Sequence, residues 1–188
     1  MLAGVWYSLA AVAALAAEPW ETVDDFQLVP GLPTVGAALG ISPSGNVYSA
    51  GSGVTSPDGS TRTAVVRMTA DAGQAWTSLP EFGDFNWYWA HYRGVTTDAS
   101  GRLYVCGNGR LAGQPATDLG WIVRESVDGG LNWLETDDPF PFPGDTPGGC
   151  ADIKAHPVTG DVYASGSSLT YGRVIRKRSA GAAGFTPV

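Results

Sequence analysis

The chain is poor in charge, and poorest in positive charge. Only 15% of its 188 residues are Asp, Glu, Lys or Arg, and 11 Lys and Arg stand against 18 Asp and Glu, a formal net charge of −7. A nucleic-acid partner needs a basic face to offset phosphate repulsion, and this composition builds none, so nucleic acid is excluded. There are two cysteines and two histidines. No Cys/His group falls at zinc spacing, no acidic loop matches a calcium site and no glycine loop suits a phosphate, so no metal and no cofactor is expected. His91 and His156 each stand alone. Cys106 and Cys150 are either one disulfide or two buried thiols, and both outcomes stay open. Long helical periods are missing as well. No stretch beyond the first 17 residues keeps a 3.6-residue apolar period clear of Gly and Pro, which argues against an α/β fold.

What the chain does have is repetition. Thr69-Ala-Asp71-Ala-Gly73-Gln-Ala-Trp76 and Ser126-Val-Asp128-Gly-Gly130-Leu-Asn-Trp133 share one pattern, [Ser/Thr]-x-Asp-x-Gly-x-x-Trp, 57 residues apart. Ahead of each lies a second unit, with Gly45, Val47, Tyr48 and Gly51 in one copy and Gly101, Leu103, Tyr104 and Gly107 in the next. A third copy carries Gly160, Val162, Tyr163 and Gly166. Between unit and box sits an apolar pair followed by Arg67, Arg124 or Arg176. Trp20 precedes Trp76 by 56 residues and closes the series at its start, while the third box reads as a decayed copy from Ser179 to Phe185. Turn residues separate short runs of β-branched and aromatic residues, so each repeat reads as four strands. A four-stranded unit recurring at this period is a propeller blade, giving an all-β fold of antiparallel blades.

The box residues have a structural task in that setting. Asp71 and Asp128 accept backbone N–H bonds in a tight turn, Thr69 and Ser126 support them, and Gly73 and Gly130 take the positive φ. Trp76 and Trp133 open the outermost strand and are expected to be buried. On these residues the chain resembles the Asp-box, or BNR, repeat propellers, the superfamily that includes sialidases. The resemblance covers residues 20–188 and implies a partial propeller of about three blades: a blade tail at 20–28, blades at 36–82 and 92–140, and an incomplete blade at 150–188. It also implies that the boxes lie away from any active centre. A sialidase would add an Arg-Ile-Pro segment and an arginine triad, and neither is here. Arg67, Arg124 and Arg176 recur with the blade, so no catalytic residue is carried over.

Residues 1–17 read as a signal peptide, apolar and ending in small residues but lacking a basic start, and too short for a stable membrane span. A secreted, periplasmic or cell-envelope location follows as an expectation. The basic run Arg173 to Arg178 is expected at a solvated strand edge. One segment departs from the repeat, with Trp87, Tyr88, Trp89, His91, Tyr92 and Arg93 where the preceding unit is mostly aliphatic. Read as a connection between blades, it either fills the space between them or stacks and hydrogen-bonds a sugar. The expected function is therefore a non-catalytic propeller that binds polysaccharide, glycoconjugate or protein. The alternative is a fragment of a sialidase-like glycoside hydrolase whose catalytic carboxylates lie in missing blades, with Asp84, Asp145 and Asp152 as the acids on connecting segments. Three blades are too few to close a ring, so a partner chain or further blades are expected to complete it.

Overall fold

The computed structural model describes residues 21–80, 87–111, 115, 119–137, 148–169 and 171–188, with the backbone alone at 87–88, 111 and 135–137. Every regular element among them is a strand. The strands come in three runs of four: β1 (Thr34–Ile41), β2 (Val47–Val54), β3 (Arg62–Thr69) and β4 (Thr77–Ser78); β5 (Trp87–Thr97), β6 (Leu103–Leu111), β7 (Gly120–Ser126) and β8 (Leu134–Asp137); β9 (Gly149–Ala155), β10 (Val162–Ser168), β11 (Gly172–Arg178) and β12 (Thr186–Pro187). Within each run, neighbours in sequence are antiparallel neighbours in space. One parallel bridge, Arg62 to Trp89, joins the first meander to the second, and the third is a separate sheet. Residues 1–17, expected as a signal peptide, and Trp20 lie outside the described residues.

The register repeats as the sequence does. Val47 faces Thr69, Leu103 faces Ser126 and Val162 faces Arg178. This corrects the third box. The Ser/Thr position is held by Arg178, one residue before Ser179, and Phe185 stands where Trp76 and Trp133 stand. The repeated arginine is structural: Arg67 donates to the Trp76 carbonyl (3.2 Å) and Arg176 to the Phe185 carbonyl (3.1 Å), the same bond in two meanders. The expectation of a solvated basic edge is also corrected. β11 is an interior strand, and Arg176 and Arg178 are both buried. Arg178 pairs with buried Glu125 of β7 and donates to the Tyr104 hydroxyl (3.0 Å), locking the third meander to the second.

Gly51, Gly107 and Gly166 occupy one position in β2, β6 and β10, and the reason is steric. The first strand of each meander carries an irregularity opposite them. A Cβ on any of the three would overlap a carbonyl oxygen: that of Val35, His91 or Gly149.

Two cores lie on the two faces of the middle meander. Leu103, Val105 and Ile122 point to the first meander and meet Tyr48, Ala50, Val66 and Leu79. Tyr104, Cys106, Trp121 and Val123, the alternate residues, point to the third and meet Ile153, Val162, Ala164 and Phe185. Period-two alternation thus divides one sheet between two cores. Cys106 and Cys150, both fully buried, form a disulfide between β6 and β9 with their Cα atoms 5.7 Å apart.

The two boxes match bond for bond. Thr69 Oγ1 donates to Asp71 (2.6 Å) and accepts from Gly73 N, as Ser126 Oγ donates to Asp128 (2.7 Å) and accepts from Gly130 N. Asp71 then accepts from Ala75 N and Asp128 from Asn132 N. Gly73 and Gly130 take φ values of 94° and 99°. Trp76 and Trp133 are half-buried rather than enclosed, a correction that follows from their place at the outer end of each sheet. Hydrogen bonds from the Asn132 side chain, the Asn132 backbone and Ser126 hold the Asp128 carboxyl at about 2, below the ordinary 3.8. A carboxyl whose pKa falls on folding stabilises the folded state above its unfolded pKa, and loses that contribution as pH drops through the folded one. Asp128→Ala should therefore lower the melting temperature at pH 5, with the gap to wild type narrowing between about pH 4 and pH 2. Thermal melts across that range check it, and a constant gap would contradict it.

Candidate functional site

The boxes sit where β3 and β7 end. At the opposite end of the sheets, where β2 and β6 finish and β3 and β5 begin, polar and aromatic side chains gather. β5 is 11 residues long and starts at Trp87, so residues 87–93 are not a connection between sheets but the opening of the first strand of the middle meander. Trp89 and His91 are half-buried and stack with ring centroids 6.3 Å apart and planes 22° from parallel. The Arg62 guanidinium lies over the Trp89 ring, 5.9 Å from its centroid, a cation–π contact. Arg93 is exposed and donates through Nε to Asn108 Oδ1 (3.1 Å). Tyr92 turns the other way: it is 2% exposed and packs in the core between the first two meanders. The side chains of Trp87 and Tyr88 lie outside the described residues.

Ser52 organises the cluster. Fully buried at the end of β2, its hydroxyl accepts from Arg62 NH1 (3.1 Å) and meets His91 Nδ1 (3.0 Å). Burial, then the nearby charges of Arg93 and Arg62, pull the His91 pKa below its ordinary value. Ser52 Oγ and His91 Nδ1 share one hydrogen bond, whose donor is set by the tautomer of the imidazole. His91 thus stands beside an aromatic face and two guanidinium groups.

The sequence brought Trp89, His91 and Arg93 to notice but missed Ser52, Arg62 and Asn108. Ser52 and Asn108 hold one position, five residues after Val47 and Leu103. Arg62 is the more telling omission: the matching positions, 119 and 171, are Leu and Tyr, so a cation here belongs to the first repeat alone. His156 takes no part, since its Nδ1 accepts from Val158 N and Thr159 N in the β9–β10 turn. Asp152 lies on β9 and pairs with Lys154 (3.1 Å), while Asp84 and Asp145 fall outside the described residues.

A concavity of about 630 Å³ opens on the free face of the first meander. Leu39, Val47 and Val65 line it, and these match Val95, Leu103 and Ile122, which the middle meander buries in core. The segment 21–28 lies on this face. Arg67 grips Asp24 with two bonds (2.6 and 2.7 Å) and covers the Phe26 ring at 4.0 Å. Val23 neighbours Gly73 as Leu79 neighbours Gly130. The concavity is thus a packing face of the repeat.

The fold so described, all-β in antiparallel meanders, is similar to that of solved β-propeller proteins. The solved structures it matches include a protein of unknown function from Dyadobacter fermentans (19% identity, TM-score 0.58, 79% of this chain and 48% of that one). They also include the Hadza microbial sialidase Hz136 (12%, 0.60, 80% and 32%). A GH74 xyloglucanase from Xanthomonas campestris matches as well (15%, 0.50, 76% and 18%). This chain spans half or less of each. No family model and no curated protein matches it.

Proposed function

We propose that the chain is a run of Asp-box propeller blades, each four-stranded meander one blade, that is exported and binds glycan without cleaving it. The observation that carries this is the Trp89–His91–Arg62–Arg93 cluster with its Ser52 and Asn108 supports. An aromatic face edged by fixed donors is what a sugar ring, apolar on its faces and hydroxylated at its rim, requires. The cluster sits on strands, so its geometry is set by the scaffold before ligand arrives. Two of the matched structures are enzymes named for glycan substrates, which agrees with a glycan ligand and fixes neither substrate nor activity. The free face of the first meander, apolar and matching a buried face of the second, fits closure by further blades or a partner chain.

The second reading is a piece of a glycoside hydrolase. It needs two carboxylates about 5 to 9.5 Å apart across the scissile bond. Of the acids that would serve it, Asp152 pairs with Lys154 on β9, and Asp84 and Asp145 lie outside the described residues. A glycan array probed with the exported protein and with a Trp87→Ala/Trp89→Ala double variant tests the proposal. Glycan binding that the double variant loses is expected. Binding that survives it would overturn the site, and turnover of the bound glycan would favour the hydrolase.

A further inference from the structure

We propose that the free face of the first meander is a self-association surface for the outer face of the third meander in a second copy of this chain, and that residues 21–28 are a strap covering it. The contact is independent of glycan binding. Inside the chain the same contact is made twice. Leu103, Val105 and Ile122 of the second meander meet Tyr48, Ala50 and Val66 of the first, and Val162, Ala164 and Val174 of the third meet Tyr104, Cys106 and Val123 of the second. The register carries both kinds of face to the ends of the series. Leu39, Val47 and Val65 hold on the first meander the positions of Val95, Leu103 and Ile122, and Tyr163 and Ile175 hold on the third those of Tyr104 and Val123. Both end faces show apolar side chains to solvent: Val35, Leu39 and Ile41 on one, Ile175 on the other. Such a contact is heterologous, and two copies of three meanders bring six, within the range of about four to eight blades at which propellers close.

The strap holds the place that this contact needs. Leu79 follows β4, donates its N–H to the Val66 carbonyl (2.9 Å) and meets the next meander at Gly130. Val188 follows β12 and donates to the Ile175 carbonyl (3.1 Å) in the same way. In a second copy docked as the repeat dictates, Val188 comes to Gly73. Val23 is already there. Among the described residues the strap's polar ties to the first meander are the two bonds from Arg67 to Asp24 and one from Leu28 N to Thr34 Oγ1 (3.0 Å). No backbone–backbone bond among those residues ties 21–27 to the sheet, and a segment so held opens at low cost. Arg67 also donates to the Trp76 carbonyl, so the first meander keeps that bond when Asp24 is replaced.

Sedimentation velocity on the full chain, wild type beside Asp24→Ser, tests the surface, with amide order parameters reading the strap. Asp24→Ser should free the strap and, by raising the open fraction, tighten self-association roughly 10-fold or more over wild type. Adding Leu39→Ser or Ile175→Ser, both at exposed positions, should return the chain to monomer. Mixing those two double variants should restore a dimer, because each keeps the face that the other has lost. Asp24→Ser that loosens the strap yet stays monomeric would overturn the surface. A strap unmoved by Asp24→Ser would overturn its role as the cover. Association that Leu39→Ser abolishes and Ile175→Ser leaves intact would mean that first faces meet each other, which would overturn the head-to-tail contact.

Discussion

Gly107→Ala is expected to destabilise the protein by at least ~3 kcal/mol and to abolish ligand binding in whatever fraction still folds. The added methyl has nowhere to go. It meets the His91 carbonyl head-on and lies 2.8 Å from the Tyr92 Cα, so backbone and not a flexible side chain must yield. β5 would have to lift from β6, carrying Tyr92 out of the first core and His91 and Arg93 away from Ser52 and Asn108. Gly45→Ala separates this cause from simple backbone strain. Gly45 has φ 90° but nothing within 4 Å of a built Cβ, so its cost should be only about 1–2 kcal/mol. Urea unfolding of the two variants beside wild type makes the comparison. Equal losses at both positions would mean that close approach of the first strand is not what selects glycine.

Loss of the Cys106–Cys150 disulfide should be nearly as damaging. The bond closes a loop across a sequence separation of 44 and joins two meanders that share no strand pairing among the described residues. On loop-closure entropy its removal costs roughly 4 kcal/mol. The third meander should suffer first, because side-chain packing, the Arg178–Glu125 pair and this disulfide hold it to the second sheet. Hydrogen exchange on a Cys106→Ala/Cys150→Ala variant should show protection falling in β9–β11 before β1–β3. Unchanged exchange throughout would contradict a linking role.

The repeat was legible because its residues are used the same way each time. Tyr-x-x-Gly is written into the sequence since every copy must pass a carbonyl at that glycine, and the box since every copy must close the same turn. The third box was harder to place. Its Ser/Thr position has become Arg178, which swaps a turn-locking hydroxyl for an ion pair to the next sheet, and only the strand register reveals the substitution. The buried arginines were hidden for a related reason. A run such as Arg173–Arg178 looks solvated until a fourth strand is seen to cover it. Likewise the half-exposure of Trp76 and Trp133 depends on where the sheet edge falls, which no local pattern states. The site was half visible. Trp89, His91 and Arg93 break the repeat within one segment and stand out. Ser52, Arg62 and Asn108 come from three other strands, β2, β3 and β6, and only the strand pairing and the packing of the first meander on the second bring them to the site.

The central claim is that ligand engages the end of the sheets opposite the boxes. Amide chemical-shift mapping with whichever glycan binds on the array tests it most directly. The account expects the largest shifts at Ser52, Arg62, Trp89, His91, Arg93 and Asn108, with the turns around Asp71 and Asp128 unmoved. Shifts confined to those turns, or to Leu39, Val47 and Val65 on the free face of the first meander, would contradict it.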